Sequence, residues 1–436
     1  MKDPSGSEIT LHQAISSIKS LTSPRTEPKQ PISDEEFVPA CQFVTQLVSR
    51  AHEYGTSFIR LQDFMSQLPR LFGFHGVMLA ASPFLFFEFW RPGDSEPSRV
   101  TIQLPTGSFD LAKLAELDAL VNDLAEGKVS IDEGVARLKQ IDSLQPPYKN
   151  VVVALGYALC GAGFAVLLSA SWTDVIFAAL LSLVVYGITS IAGKSQWLAN
   201  RINFTSALVV SILANLLAIL FPGSNAFIVS LCAVIVLIPG MSLTFGIAEL
   251  ASKIVISGVN RLVDGVLITA VLLIGNLIGS SIVQAIWTVP PPDASTDRSL
   301  WVIFTSLVLL MLGLVFVFEV RQRDLGWVIF AGVLAYAGVL VGGQLGNWQG
   351  SFLGALILGL YTSLFTARLH RPGSVVMLPG IMILVPGVAA YFGLNTLQTI
   401  GIIGALPAVW GVLVQIMAIM GGLYIAESII RPKTSL

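Results

Sequence analysis

Two Pro-Gly pairs interrupt apolar stretches of this chain, Pro239-Gly240 and Pro386-Gly387, and a third, Pro379-Gly380, lies seven residues before the second. A proline inside a membrane helix removes a backbone hydrogen bond. With glycine beside it the helix can break, so that carbonyls and amides face a polar solute. These six residues and Asn276, in a neighbouring apolar stretch, are the candidate solute-binding groups. Glu249, Lys253, Arg261 and Asp264 follow the first pair, two acids and two bases that could form ion pairs. Ionised groups are costly in hydrocarbon unless they pair or face a cavity, so Glu249, Arg261 and Asp264 are the candidates for proton coupling or gating. A packing kink, or a solvated loop with incidental charge, accounts equally well for any one of these features. Recurrence of the pairs in two parts of the chain favours function.

Other chemistry is thinner. His52-Glu53 is the only adjacent acid-histidine pair, and Ser57 and Ser66 offer no convincing nucleophile beside it. Phosphate-loop, nucleophile-elbow, zinc and dinucleotide spacings are missing. Cys41, Cys160 and Cys232 are too scattered for a disulfide framework or a metal site and read as buried small hydrophobes. A net charge of −2 with no dense basic run leaves no footprint for nucleic acid. The expectation is therefore no catalysis, no metal and no cofactor. Asn215, Asn260, Gln284, Glu319 and Glu427 are further polar groups in or beside apolar stretches; the two glutamates read as interfacial residues at helix ends, and Asn276 with Gln284 as a path lining or a helix cross-link.

The elements that must position these residues fall into two unlike parts. Of 436 residues, 54% are hydrophobic and only 12% charged, yet residues 1–149 hold 33 charged side chains and residues 150–436 hold 19. Residues 1–33 read as a disordered tail, polar and without a signal-peptide pattern. Residues 34–149 read as a small α+β domain expected to remain in the cytoplasm. Its apolar spacing predicts two amphipathic helices broken near Gly55. Two β-prone runs, 77–90 and 99–104, joined by a turn at 91–98, follow, and then two helices capped by Asp110 and Ser130.

From residue 150 onward about ten apolar runs are long enough to cross a hydrocarbon core: 151–170, 175–193, 204–221, 226–248, 265–287, 300–318, 325–343, 348–367, 373–393 and 399–427. With the domain inside, the inner loops and tail carry ten Lys or Arg and the outer loops only Arg298. The positive-inside rule thus places both termini in the cytoplasm. Ten spans divide into two fives, residues 150–289 and 299–430, and an odd-membered repeat must insert in opposite orientations, as in inverted-repeat transporters. Pro239 and Pro386 lie 147 residues apart, near the repeat offset of about 149. The expected fold is a mainly α membrane protein, two inverted five-helix repeats preceded by a small α+β cytoplasmic domain.

Three stretches resemble the threonine/serine exporters of the ThrE type, in the single-chain form that joins a cytoplasmic domain, a ThrE membrane part and a ThrE-like C-terminal half. Arg50 to Asp63 with Leu71-Phe72-Gly73 is similar to the family's opening. Leu237 to Leu250 with Ser257 to Leu262 resembles its Pro-Gly, acidic, Ser-Gly and Arg series, found also in fungal pheromone-regulated membrane proteins. Leu378 to Gly387 is similar to its doubled Pro-Gly motif. The resemblance covers about residues 37–428. It implies export of L-threonine and L-serine driven by the proton motive force, as antiport, and carries Pro239, Gly240, Glu249, Gly258, Arg261, Pro379, Gly380, Pro386 and Gly387 over as motif positions. Asn260 before the arginine, and Gln62 where an acidic residue often stands, depart from the pattern.

The implied partners are a small amino acid, protons and the lipid bilayer of a bacterial cytoplasmic membrane, with a homo-oligomer left open. The rival readings are an exporter of another solute such as a dicarboxylate, a membrane-anchored hydrolase using the N-terminal domain, and a passive channel or scaffold.

Overall fold

In the computed structural model the described residues are 32–81, 84–104, 110–293, 298–369, 371–384 and 386–430. The expected tail therefore lies almost wholly outside them, as do the basic residues Arg431 and Lys433. Within the N-terminal domain, α1 (Asp34–Glu53) and α2 (Phe58–Leu71) flank Gly55, whose φ of 120° makes the tight turn that a side chain would oppose. Three antiparallel strands follow in sheet order: β1 (His75–Ala81), β2 (Phe84–Trp90) and β3 (Ser98–Gln103). Residues 77–90 are thus two strands rather than one run. The register pairs Met78 with Phe87 and Phe87 with Val100, and one face of the sheet (Met78, Ala80, Leu85, Phe87, Phe89) is buried. The period of two then leaves Val77, Leu79, Phe84 and Phe86 exposed. Helices α3 (Leu111–Ala125) and α4 (Ile131–Asp142) begin at the expected caps: Asp110 accepts from the Lys113 amide at 2.9 Å, and Ser130 forms a capping box with Glu133.

The membrane part continues as α5 (Asn150–Leu167), α6 (Trp172–Ala192), α7 (Ile202–Leu220), α8 (Ala226–Ala233), α9 (Gly240–Ala251), α10 (Val255–Gln284), α11 (Leu300–Val317), α12 (Leu325–Gly343), α13 (Asn347–Leu369), α14 (Ser374–Ile383) and α15 (Pro386–Ile429). Among the described residues nine segments are long and apolar enough to cross a membrane, and the count reaches ten when the pair α8 and α9, bent by 54°, is taken as one broken span. Helix α15, with 44 residues, would be about 66 Å long if straight, twice a hydrocarbon core. It is not straight. A side chain at Gly393 would touch Val412 and Ala408, and Gln415 donates to the Leu384 carbonyl at 3.1 Å, so the chain turns back: the first arm completes the span begun by α14, and the second arm is a span of its own.

Close helix approach comes from small residues, as expected where lipid replaces water. Gly156 and Gly163 of α5 meet Gly313 and Leu310 of α11, Gly275 and Gly279 of α10 meet Ala207 and Ser211 of α7, and Gly338 of α12 meets Gly354 of α13. Cys41, Cys160 and Cys232 are free and buried, Cys41 with its thiol pushed up to about 12 by burial.

Candidate functional site: the meeting of two helix breaks

The fourth span breaks where Pro239 withholds its amide: α8 ends, one 3-10 turn (Ile235–Leu237) follows, and α9 starts at Gly240. In the ninth span α14 ends at Ile383 and α15 starts at Pro386. These two breaks touch. A Cβ on Gly387 would stand 2.7 Å from Ile238 Cγ2 and 2.9 Å from Gly240 Cα, so backbone meets backbone there. A residual cavity of about 10 Å³, the size of one water, lies between them, lined by Phe164, Ile235, Ile238, Ile381 and Val388 as well as the two glycines. Pro379-Gly380 is different: α14 runs through it unbroken, and Gly380 packs against Leu358 of α13. The expected second break in this span is therefore absent: Pro379, the sixth residue of α14, removes only the one bond its amide would make to the Val375 carbonyl, and the helix continues past it.

Beside the breaks a file of polar groups runs along the inner face of α10. Ser230 of α8 donates to Asn276 Oδ1 at 2.9 Å, and the Asn276 amide is hydrogen-bonded to Tyr391, a phenol 1% exposed on the first arm of α15. Ser211 donates to the Asn276 carbonyl at 2.6 Å. Farther along, Ser280 donates to Asn215 Oδ1 at 3.3 Å, and Gln284 donates to Ser280 at 2.8 Å. Asn276 therefore links helices, whereas Gln284, exposed, bonds only Ser280 of its own helix; together they form one hydroxyl-and-amide file that can exchange its bonds for those of a small polar solute.

The charged cluster lies at the end of α9 and α10 nearest the N-terminal domain. Helices α9 and α10 pack closely because Gly246 and Gly258 let their backbones approach. That brings the fully buried Glu249 to Arg261, Nε to Oε1 3.0 Å, and to Ser257, which donates to Oε2 at 2.6 Å. The Arg261 contact is an ion pair whose alignment falls short of a hydrogen bond. The domain closes over it: Phe58, in the first turn of α2, faces the pair, and the Arg261 guanidinium lies 5.0 Å above its ring. His52 stacks on Phe58 at 4.3 Å, and burial, then the Arg261 charge, lower its pKa to about 4. Asp264 is exposed one turn beyond Arg261, and Lys253, with φ 65°, is exposed at the α9–α10 corner. Neither joins the pair. Ser66 donates to the Asp63 carbonyl rather than to His52.

Several participants were assigned no role in the sequence reading. Asp174 accepts from Ser224 Oγ at 2.6 Å and the Asn225 amide at 2.9 Å, and Asp324, equally buried, pairs with Arg371. Both acids are legible in hindsight, since Pro222-Gly223-Ser224 and Pro372-Gly373-Ser374 are identical and lie 150 residues apart, the same spacing as Asp174 and Asp324. Arg60 reaches from the domain to donate to Ser374 at 3.1 Å. Tyr391 has no distinguishing pattern around it.

Two family models match the chain: "Putative threonine/serine exporter" over residues 42–283 and "Threonine/Serine exporter, ThrE" over residues 303–429. A "Probable threonine/serine exporter" of Mycobacterium tuberculosis is 26% identical over 68% of this chain and 58% of its own length. "Pheromone-regulated membrane protein 10" of Yarrowia lipolytica is 23% identical over 84% of this chain and 31% of its own, and the Saccharomyces cerevisiae protein of that name 22% identical over 84% and 49%. Relatives are thus eukaryotic as well as bacterial, and the chain spans between about a third and three fifths of their length. No solved structure matches.

Proposed function

This chain belongs to the threonine/serine exporter family, and from that premise we propose that it exports small hydroxy amino acids, L-threonine or L-serine, as a secondary antiporter driven by the proton motive force. The observation that carries the reading is the contact of the Gly240 and Gly387 breaks beside Ser230, Asn276 and Tyr391. Broken helices offer unpaired backbone groups to the carboxylate and ammonium of a solute, and the hydroxyl-amide file offers partners to its hydroxyl. Pro239, Gly240, Pro386, Gly387 and Asn276 are then binding residues, while Pro379 and Gly380 hold α14 against α13.

An inverted repeat fits this mechanism, and three correspondences support it. Helices α5 and α11 end alike, at Ser169 and Glu319 with φ of 56° and 53°, each followed by an amide that bonds the carbonyl five residues back. Asp174 and Asp324 begin the next helices, and the Pro-Gly-Ser triplets begin α8 and α14. The first set lies at the end of the bundle away from the N-terminal domain (the far end). The second lies at the near end, where the Phe318 carbonyl accepts from Leu111. With the domain cytoplasmic, the near end faces inward and both termini lie inside.

Protonation of Glu249 would release Arg261, whose guanidinium stacks on Phe58 of the domain, so one proton would loosen the domain from the near end and open it. Asp264, exposed beside Arg261, lies on the route by which a proton reaches the pair. The test is efflux of preloaded labelled L-serine and L-threonine from proteoliposomes, with and without a pH gradient, for wild type and Glu249→Gln. Gradient-dependent efflux that the variant loses supports the proposal. Flux indifferent to the gradient indicates a channel, and flux of a dicarboxylate alone replaces the solute.

A further inference from the structure

A second polar cavity lies between α2 of the domain and the near ends of α13, α14 and α15, lined by Arg60, Thr362, Ser363, Thr366, Met377 and Glu427. Thr362 is 5% exposed, and its hydroxyl has no hydrogen-bond partner among the described residues. A buried hydroxyl without a partner costs stability that a valine of the same shape would not, so its presence calls for a ligand. Opposite charges face the cavity from two separate elements, Arg60 from the domain and Glu427 from the last helix. Burial holds the Arg60 guanidinium below its ordinary pKa, with Glu427 and then Asp118 opposing the shift.

The counterpart in the first half differs. At the 150-residue offset set on either side of α7 and α13 by Asp174/Asp324 and the two Pro-Gly-Ser triplets, Ile212 stands where the second half has Thr362, while the polar groups of the first half, Asn215, Ser280 and Gln284, bond one another. The far end is thus sealed by its own polar groups, while the near end has polar groups around a space.

Resting on the exporter reading, we propose that this near-end cavity is a cytoplasm-side binding site for a small zwitterion, in which Arg60 takes the carboxylate, Glu427 the ammonium group and Thr362 a solute oxygen. Its free volume of about 10 Å³ holds one water, so the site fills only as α2 shifts and Arg60 exchanges Ser374 for the solute. Glu427, exposed at the rim, admits it. Entry of the solute and release of the domain are then one event.

The experiment is equilibrium binding of labelled L-serine to the full chain in nanodiscs, in the wild type and in an Asn276→Ala background that disables the central site. Thr362→Val is expected to weaken binding about threefold to tenfold, the loss of one neutral hydrogen bond, and Arg60→Gln more than about tenfold, the loss of a charge-assisted one. Thr362→Val should leave the melting temperature unchanged or raise it, which separates binding from folding. Ethanolamine, lacking the carboxylate, and lactate, lacking the ammonium group, should each compete more than about tenfold worse than unlabelled serine. Wild-type affinity in Thr362→Val, Arg60→Gln and Glu427→Gln, with serine flux intact, overturns this site and leaves the exporter standing. A wild type that neither binds nor moves any amino acid overturns both.

Discussion

The two ends of the membrane part use the same acid in different company. At the far end Asp174 is satisfied within its own half, by Ser224, the Asn225 amide and the capping Ser171. At the near end Asp324 takes Arg371 instead, which leaves Ser374, the counterpart of Ser224, to accept from Arg60 of the N-terminal domain. Arg321 adds to this docking, reaching Glu116 at 3.0 Å and the Ala112 carbonyl at 3.3 Å. The two ends thus differ where the N-terminal domain attaches.

That contrast can be broken in measurable ways. Glu249→Gln should have the largest effect, about 3 kcal/mol, because it leaves Arg261 without its counter-charge in a buried site; thermal unfolding in detergent measures it, and a loss below about 1 kcal/mol would mean that water already reaches the pair. Asp324→Asn should cost about 2 to 3 kcal/mol and Asp174→Asn about 1 to 2, since an amide still accepts from Ser224 and Asn225 but gives Arg371 no charge. Equal losses would remove the asymmetry between the ends. Gly387→Ala should cost about 2 kcal/mol, because its new methyl meets Gly240 backbone, and Gly380→Ala less, because its methyl meets only the Leu358 side chain.

The smallest effect concerns pH. His52 has a folded pKa of about 4 against an ordinary 6.5, so the folded domain binds fewer protons than the unfolded chain between those values. Its neutral form contributes fully above about pH 6.5, and that contribution is lost as pH falls toward 4. His52→Phe, which keeps the stack on Phe58, should flatten the stability profile in that window. A profile as steep as wild type's would assign the slope to other groups.

Much of the architecture was written in local pattern. Apolar runs marked the spans, Gly55 and the caps Asp110 and Ser130 marked helix ends, and Pro239-Gly240 and Pro386-Gly387 marked the two breaks that meet. Pro379-Gly380 misled because one proline removes a single backbone bond, and whether the helix breaks there or carries on depends on the packing around it. The strand run 77–90 divided in two because alternation alone carries no information about chain reversal. Arg60 stood out only as part of the Arg50 to Asp63 stretch, with no role assigned, and Tyr391 and Thr362 were not legible, since each acquires its role from a partner more than 100 residues away in sequence or from a cavity between elements.

The most direct test of the central claim is counterflow of labelled L-threonine into proteoliposomes preloaded with unlabelled threonine, comparing wild type with Asn276→Ala at equal insertion. The account predicts uptake by the wild type and at least a tenfold loss in the variant, because Asn276 ties Ser230 of one half to Tyr391 of the other at the meeting of the breaks. Equal counterflow in both proteins would place the solute's path elsewhere.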